Sequence, residues 1–363
     1  MSTSVTKSPS TGITTKWAQL TATPVRRHFV AAVIGLIVIF AVLESVSTFR
    51  QSQLTSVAYL AIAAGGLTLL TGYTGQVSLG TGAFMAVGAY TAALILRAQD
   101  GSWVVPVVLL AATAVSTLVG FVVGVAAARL HGPYLAGATL ALAVAVPGLA
   151  LYFSEYLGGE QGLTIPSPAV PTFLDDAMFF ITGNDLSSTK FISYISWTLL
   201  VVVFFLLANV SSSRIGRRWR AVRDDEVAAE LAGIDLGRAR ILAFVVSAAC
   251  AGAAGAVLAM ASRIAAPSGF TLVLSLTLLS AVVIGGLGTL AGALIGAALL
   301  TYIPPVVTNL GLDLGLSSLQ SAELAPLVTG VFTVLVILFA PLGLVGSYRK
   351  WRFTRKFARK GEK

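Results

Sequence analysis

The sequence predicts an all-α polytopic membrane protein with about ten transmembrane helices and both termini on the inner side of the membrane. Composition gives the first reason: 56% of the 363 residues are hydrophobic and only 11% are charged, with a mean hydropathy of +0.88, whereas soluble domains are about 45–50% apolar. Run length gives the second. Several apolar runs reach the roughly 20 residues that a helix rising 1.5 Å per residue needs to cross about 30 Å of hydrocarbon, and the alternating segments of a membrane barrel are absent. The placement of the +9 net charge gives the third. Bases gather in an N-terminal tail (Lys7, Lys16, Arg26, Arg27), an internal loop from Arg214 to Arg240, and a C-terminal tail from Arg349 to Lys363. All three are expected on the cytoplasmic side, where loops carry an excess of Lys and Arg. Charge placed this way speaks for a membrane protein and against nucleic acid as a partner.

Read in order, the apolar runs predict spans near 29–49, 54–71, 80–97, 103–128, 134–153, 191–210, 240–262, 271–288, 290–306 and 323–341. Residues 1–27 hold eleven Ser or Thr within their first 25 positions and no acid. They are expected as a disordered cytoplasmic tail. The run from Phe29 to Leu43 lacks a small-residue cleavage site and is expected as a retained first helix. The transmembrane body covers 28–345, and a basic cytoplasmic tail follows at 346–363. Six spans before Arg214 place the charged loop 211–240 inside and the loop 154–190 outside. That outer loop holds Glu155, Glu160, Asp175, Asp176 and Asp185 against Lys190. The apolar stretch 271–306 is split at Gly285-Gly286-Leu287-Gly288, since a single crossing there would carry the C-terminal bases outside.

Several chemistries are excluded or unsupported. No GxxxxGK[ST] phosphate loop occurs, so the chain is not read as an ATPase or any other enzyme. No span centre offers the Asp, Glu or His relay typical of proton-driven carriers. With two His and one Cys at no metal-ligand spacing, neither a metal nor a cofactor is expected, and no catalytic residue is assigned. His131 beside Gly132-Pro133 is read as a turn residue, and Cys250 as a packed core thiol.

The Arg214 to Arg240 loop holds seven Arg. Asp224 and Asp225 stand where a helix N-cap and first turn favour acid, Glu226 to Ala232 favours helix, and Gly233 supplies a left-handed stop. The segment is expected as one short cytoplasmic helix. Val227, Ala228, Leu231 and Ile234 would fill a partner's groove while Arg220, Arg223, Glu226 and Glu230 set its register. The alternative is a solvated loop held to lipid headgroups by its Arg. A second feature is the break Thr71-Gly72-Tyr73-Thr74-Gly75-Gln76-Val77-Ser78-Leu79-Gly80. Its residues Gly72, Tyr73, Thr74, Gly75, Gln76 and Ser78, with Gly285, Gly286 and Gly288, are candidates for a transport pathway built on discontinuous helices. The alternative is close helix packing at a tight turn.

The run from Arg220 to Ile234 follows the pattern R-x-x-R-D-D-E-x-A-A-E-x-x-G-I, with Val227 where the wider importer consensus has Glu. Gly72 to Gly80, Gly132-Pro133-Tyr134, Gly159 to Leu163, Gly285 to Gly292 and Pro341 to Leu344 add further matches. Together these motifs, spread over about residues 54–345, resemble the permeases of branched-chain amino-acid ABC importers, the M-type subunit in particular. Urea and short-chain amide permeases are similar. The resemblance implies a type II importer-like fold, a second permease of the H type, two ABC ATPase subunits, an extracytoplasmic substrate-binding protein and a place in the inner membrane. It also implies ATPase coupling through Arg220, Arg223, Asp225, Glu226, Ala229, Glu230 and Gly233.

Overall fold

The computed structural model describes residues 24–98, 104–130, 132–183 and 186–361. Among the described residues, ten helical segments are long and apolar enough to cross a membrane. The first five are α1 (Pro24–Ser45), α2 (Thr48–Thr74), α3 (Thr81–Ala98), α4 (Val104–Ala127) and α5 (Pro133–Tyr152). Two short helices, α6 (Ser154–Leu157) and α7 (Thr172–Thr182), precede α8 (Ser188–Ser212). The charged loop forms α9 (Arg214–Asp224) and α10 (Glu226–Leu231). Then come α11 (Leu236–Ser262), α12 (Leu272–Gly285), α13 (Leu290–Asp313), α14 (Ser318–Phe339) and α15 (Gly343–Gly361).

The split of 271–306 holds: α12 ends at Gly285 and α13 begins at Leu290, with the Thr289 hydroxyl accepting from the Gly292 amide at 3.2 Å. Several boundaries differ from the sequence reading, the largest at the end of α13, which runs to Asp313 rather than 306. The second span starts at Thr48 rather than 54, because Ser47 adopts the extended conformation of an N-cap and turns the chain before Phe49. The last span starts at Ser318 rather than 323, where Ser317 and Gln320 close a capping box. The first begins at Pro24, so the final four positions of the expected N-terminal tail are helical; residues 1–23 lie outside the described residues. The turn assigned to His131 also lies outside them.

The bundle is organised around α11, which packs against α2, α3 and α4. Its buried face is mostly Ala and Gly. Small residues let membrane helices approach closely enough for backbone contact: a Cβ on Gly88 of α3 would fall 2.1 Å from the Gly252 carbonyl, and one on Gly255 would fall 1.9 Å from that of Met85. The first helix is peripheral and is fastened at both ends. Glu44 accepts from Lys190 Nζ at 2.8 Å and from the Tyr194 hydroxyl, both on α8. At the opposite end, His28 Nδ1 lies 3.0 Å from Asn209 Oδ1.

Contacts between distant segments sort the connections into two ends. The start of α1, the charged loop, the Gly286 turn and the root of α15 share one end, because His28 meets the last turns of α8, Arg223 meets Gly72, Gly72 meets Gly288, and Gly343 meets Gly286. The Glu44–Lys190 pair and the described residues of 154–183 occupy the other. There Leu163-Thr164 pairs antiparallel with Ile264-Ala265, a two-residue ladder (β1, β2) that ties the Gly159 to Leu163 motif to the end of α11.

Candidate coupling site

At the charged end α9 is bolted to the bundle by Trp219. Its indole is buried, and its Nε1 donates to the Ala239 carbonyl at 2.9 Å. The helix stops where Asp225 becomes extended (φ −159°), and that residue then caps α10 by accepting from the Ala228 amide at 3.0 Å. The short helix expected from Glu226 to Ala232 is α10, capped by Asp225, while Asp224 closes the preceding helix α9 rather than opening α10. Gly233 adopts φ +80° while the Ile234 amide reaches back to the Ala229 carbonyl at 3.0 Å, as a left-handed C-terminal stop requires. Nothing lies within 4 Å of a Cβ built there, so backbone conformation alone favours glycine.

The side chains divide into two sets. Arg223 Nη1 donates to the Gly72 carbonyl at 2.6 Å while its other donors hold Asp224. The Arg220 guanidinium sits 5.7 Å from the centre of the Tyr73 ring, within cation–π range. Glu226 meets Arg240 Nη2 at 2.6 Å; Arg240 is 6% exposed and also donates to the Ala128 carbonyl at 3.3 Å. Ala229 is buried. These groups engage this chain itself, and the Arg223 and Glu226 side chains remain 43% and 48% exposed. Val227 and Leu231 are 69% and 85% exposed, and Ala228 and Glu230 are exposed beside them. Together they form the outward face of α10.

The loop and the glycine break therefore make one site. A Cβ on Gly72 would lie 2.2 Å from the Gly288 nitrogen, and one on Gly75 would lie 3.2 Å from Arg223 Cγ. Gly285 abuts the Gly292 carbonyl across the α12–α13 turn, and Gly286 abuts that of Leu342. These glycines provide close backbone approach. Residues 75–80 are irregular, with Gly75 in the left-handed region (φ +74°), and run from this site into the bundle. The Leu79 amide donates to Thr139 Oγ1 at 3.0 Å, and the Gly82 amide to Ser275 Oγ at 2.9 Å. Ser116 Oγ reaches both the Phe84 carbonyl and that of Ala248, midway along α11. The third span thus starts beside the middle of its neighbours, with irregular backbone shielded by protein as a bilayer demands. Thr74 bonds back to the Leu70 carbonyl at 2.5 Å, and Ser78 Oγ accepts from the Gly80 amide at 3.3 Å. Gln76 is 8% exposed, and its Oε1 has no hydrogen-bond partner among the described residues.

A polytopic helical bundle with a discontinuous span, and a short charged helix pinned to the break, is the architecture of a membrane permease component. The chain belongs to the family of permease components of branched-chain amino acid transport systems, whose sequence profile matches residues 49–340. It is similar to the high-affinity branched-chain amino acid transport system permease protein LivM of Escherichia coli, 31% identical over 93% of this chain and 79% of that protein. LivM of Salmonella typhimurium is 32% identical over 82% of this chain and 70% of its own length. BraD of Pseudomonas aeruginosa, named likewise as a permease of that system, is 29% identical over 79% and 91%. No solved structure matches the chain.

Proposed function

We propose that this chain is the M-type half of the membrane pathway of an ATP-driven importer for branched-chain amino acids, and that α10 passes the motion of an ATPase subunit to the Gly72 break. The observation that carries this reading is the hydrogen bond from Arg223 to the Gly72 carbonyl. An ATPase pushing on exposed Val227 and Leu231 would move a helix whose root holds the end of α2. Coupling then lies in the different contacts that α10 makes in the two ATPase states. The basic end faces the cytoplasm, in keeping with the distribution of Lys and Arg. A second, H-type permease completes the pathway, two ATPases dock beneath, and a substrate-binding protein delivers the solute to the opposite face. Gln76 and Ser78 line the route where the third span is interrupted.

Reconstitution of the chain with its partner permease, ATPases and binding protein tests the proposal. ATP-dependent, vanadate-sensitive uptake of leucine, isoleucine and valine is expected. Flux through this chain alone without ATP would identify a carrier or channel instead, and uptake of urea in place of leucine would overturn the solute assignment.

A further inference from the structure

The C-terminal helix has no part in the proposed coupling through α10, yet it is the most strongly basic element among the described residues. Between Gly343 and Gly361 the sequence carries Arg349, Lys350, Arg352, Arg355, Lys356, Arg359 and Lys360 and no acid. The charged loop differs in this respect: its Arg223, Arg238 and Arg240 each meet a carboxylate of the loop itself. The counter-charge for α15 is not supplied within the helix. Its apolar residues are spaced as well. Leu344, Trp351 and Ala358 recur every seven positions, and Arg349, Arg352, Lys356 and Arg359 follow the three-and-four spacing of another stripe. Tyr348 and Trp351 are more than half exposed, with ring centres 6.1 Å apart.

Position decides what such a helix meets. It begins four residues after α14 leaves the apolar zone at Phe339. Its root is fixed, because a Cβ on Gly343 would fall 2.2 Å from the Gly286 Cα and leaves no room for the helix to swing away there. Exposed aromatic rings directly beyond a span belong at the headgroup level, and a basic amphipathic helix at that depth meets lipid phosphates.

We infer that α15 is a surface helix that binds anionic phospholipid headgroups at the basic end of the bundle. The inference stands independently of the ATPase and the solute, since it needs only the membrane. Backbone hydrogen exchange over 343–361 tests it, measured on the full chain in nanodiscs of phosphatidylcholine alone and with phosphatidylglycerol added. Exchange is expected to slow by about tenfold or more with the anionic lipid, and to return to the faster rate in about 1 M salt, where the screening length falls to about 3 Å. The variant R349Q/K350Q/R352Q/R355Q should lose the protection. Four neutralised bases lower the affinity for an anionic surface by on the order of 10²- to 10³-fold. Unchanged exchange across α11 shows that the variant is folded, and the salt arm on the unaltered chain tests the inference without any variant. Equal exchange in the two lipids would overturn it, as would protection that appears only when purified ATPase subunits are added, which would assign the helix to a protein partner.

Discussion

Two residues hold the coupling site in different ways, and substitution separates them. Arg223 fixes the end of α2 through the Gly72 carbonyl. Its side chain is 43% exposed, so its loss should cost about 1 kcal/mol, near the low end for a charged donor. Arg223→Gln should therefore leave the assembled complex intact and ATP hydrolysis near normal while uptake per ATP falls several-fold. A proportional loss of both activities would show that Arg223 merely keeps the fold. Gly233 acts through backbone alone. Forcing an L-residue into the left-handed region costs about 1–2 kcal/mol, and asparagine tolerates it best. With the space around Gly233 open, Gly233→Asn should transport almost normally whereas Gly233→Val should uncouple. Equal behaviour of the two, measured as uptake per ATP hydrolysed, would contradict this account. The αL stop and the cap at Asp225 were legible in the sequence because each rests on local chemistry. The Arg223–Gly72 contact was not: its partners lie 151 positions apart, and no spacing rule links them.

Helices were read well where hydrophobic length alone decides, and poorly where a polar side chain interrupts. Ser47 and Ser317 each start a helix several residues before the apolar run becomes continuous, so a reading based on apolarity trims those ends. In the charged loop the cap and stop of α10 mark a helix from Glu226, whereas the arginine-rich α9 before it has no apolar run to mark it. The ladder of Leu163-Thr164 with Ile264-Ala265 is too short to show any periodicity. Attachment of α1 was equally hidden, since Glu44 and Lys190 looked like end charges and proved to be partners. Their side chains are 20% and 10% exposed. Removing one partner strands the other in a dry site, so Glu44→Ala should destabilise the purified chain by about 2–3 kcal/mol, below the full cost of breaking a wholly buried pair. The double change Glu44→Leu with Lys190→Met should recover most of that loss in thermal unfolding. If the double variant is as unstable as the single one, the pair is not the fastening.

At the scale of the whole molecule, the sequence predicted the number of spans and their parity, and contacts between distant segments agree on which connections share an end. Which end faces the cytoplasm is open to chemical labelling. Native Cys250 is buried and gives a silent background. Single cysteines at exposed Val227 and Tyr348 should react only from inside, and one at Phe180, 92% exposed, only from outside; the reverse pattern would invert the topology. The irregular segment 75–80 carries one more consequence, for biogenesis. The Leu79 amide depends on Thr139 and the Gly82 amide on Ser275, residues that leave the ribosome long after the segment itself. A nascent chain halted before Ser275 cannot satisfy that amide in lipid. Insertion of the early spans hairpin by hairpin thus cannot finish the fold, and the start of the third span gains this partner only once Ser275, in the last third of the polypeptide, has been made.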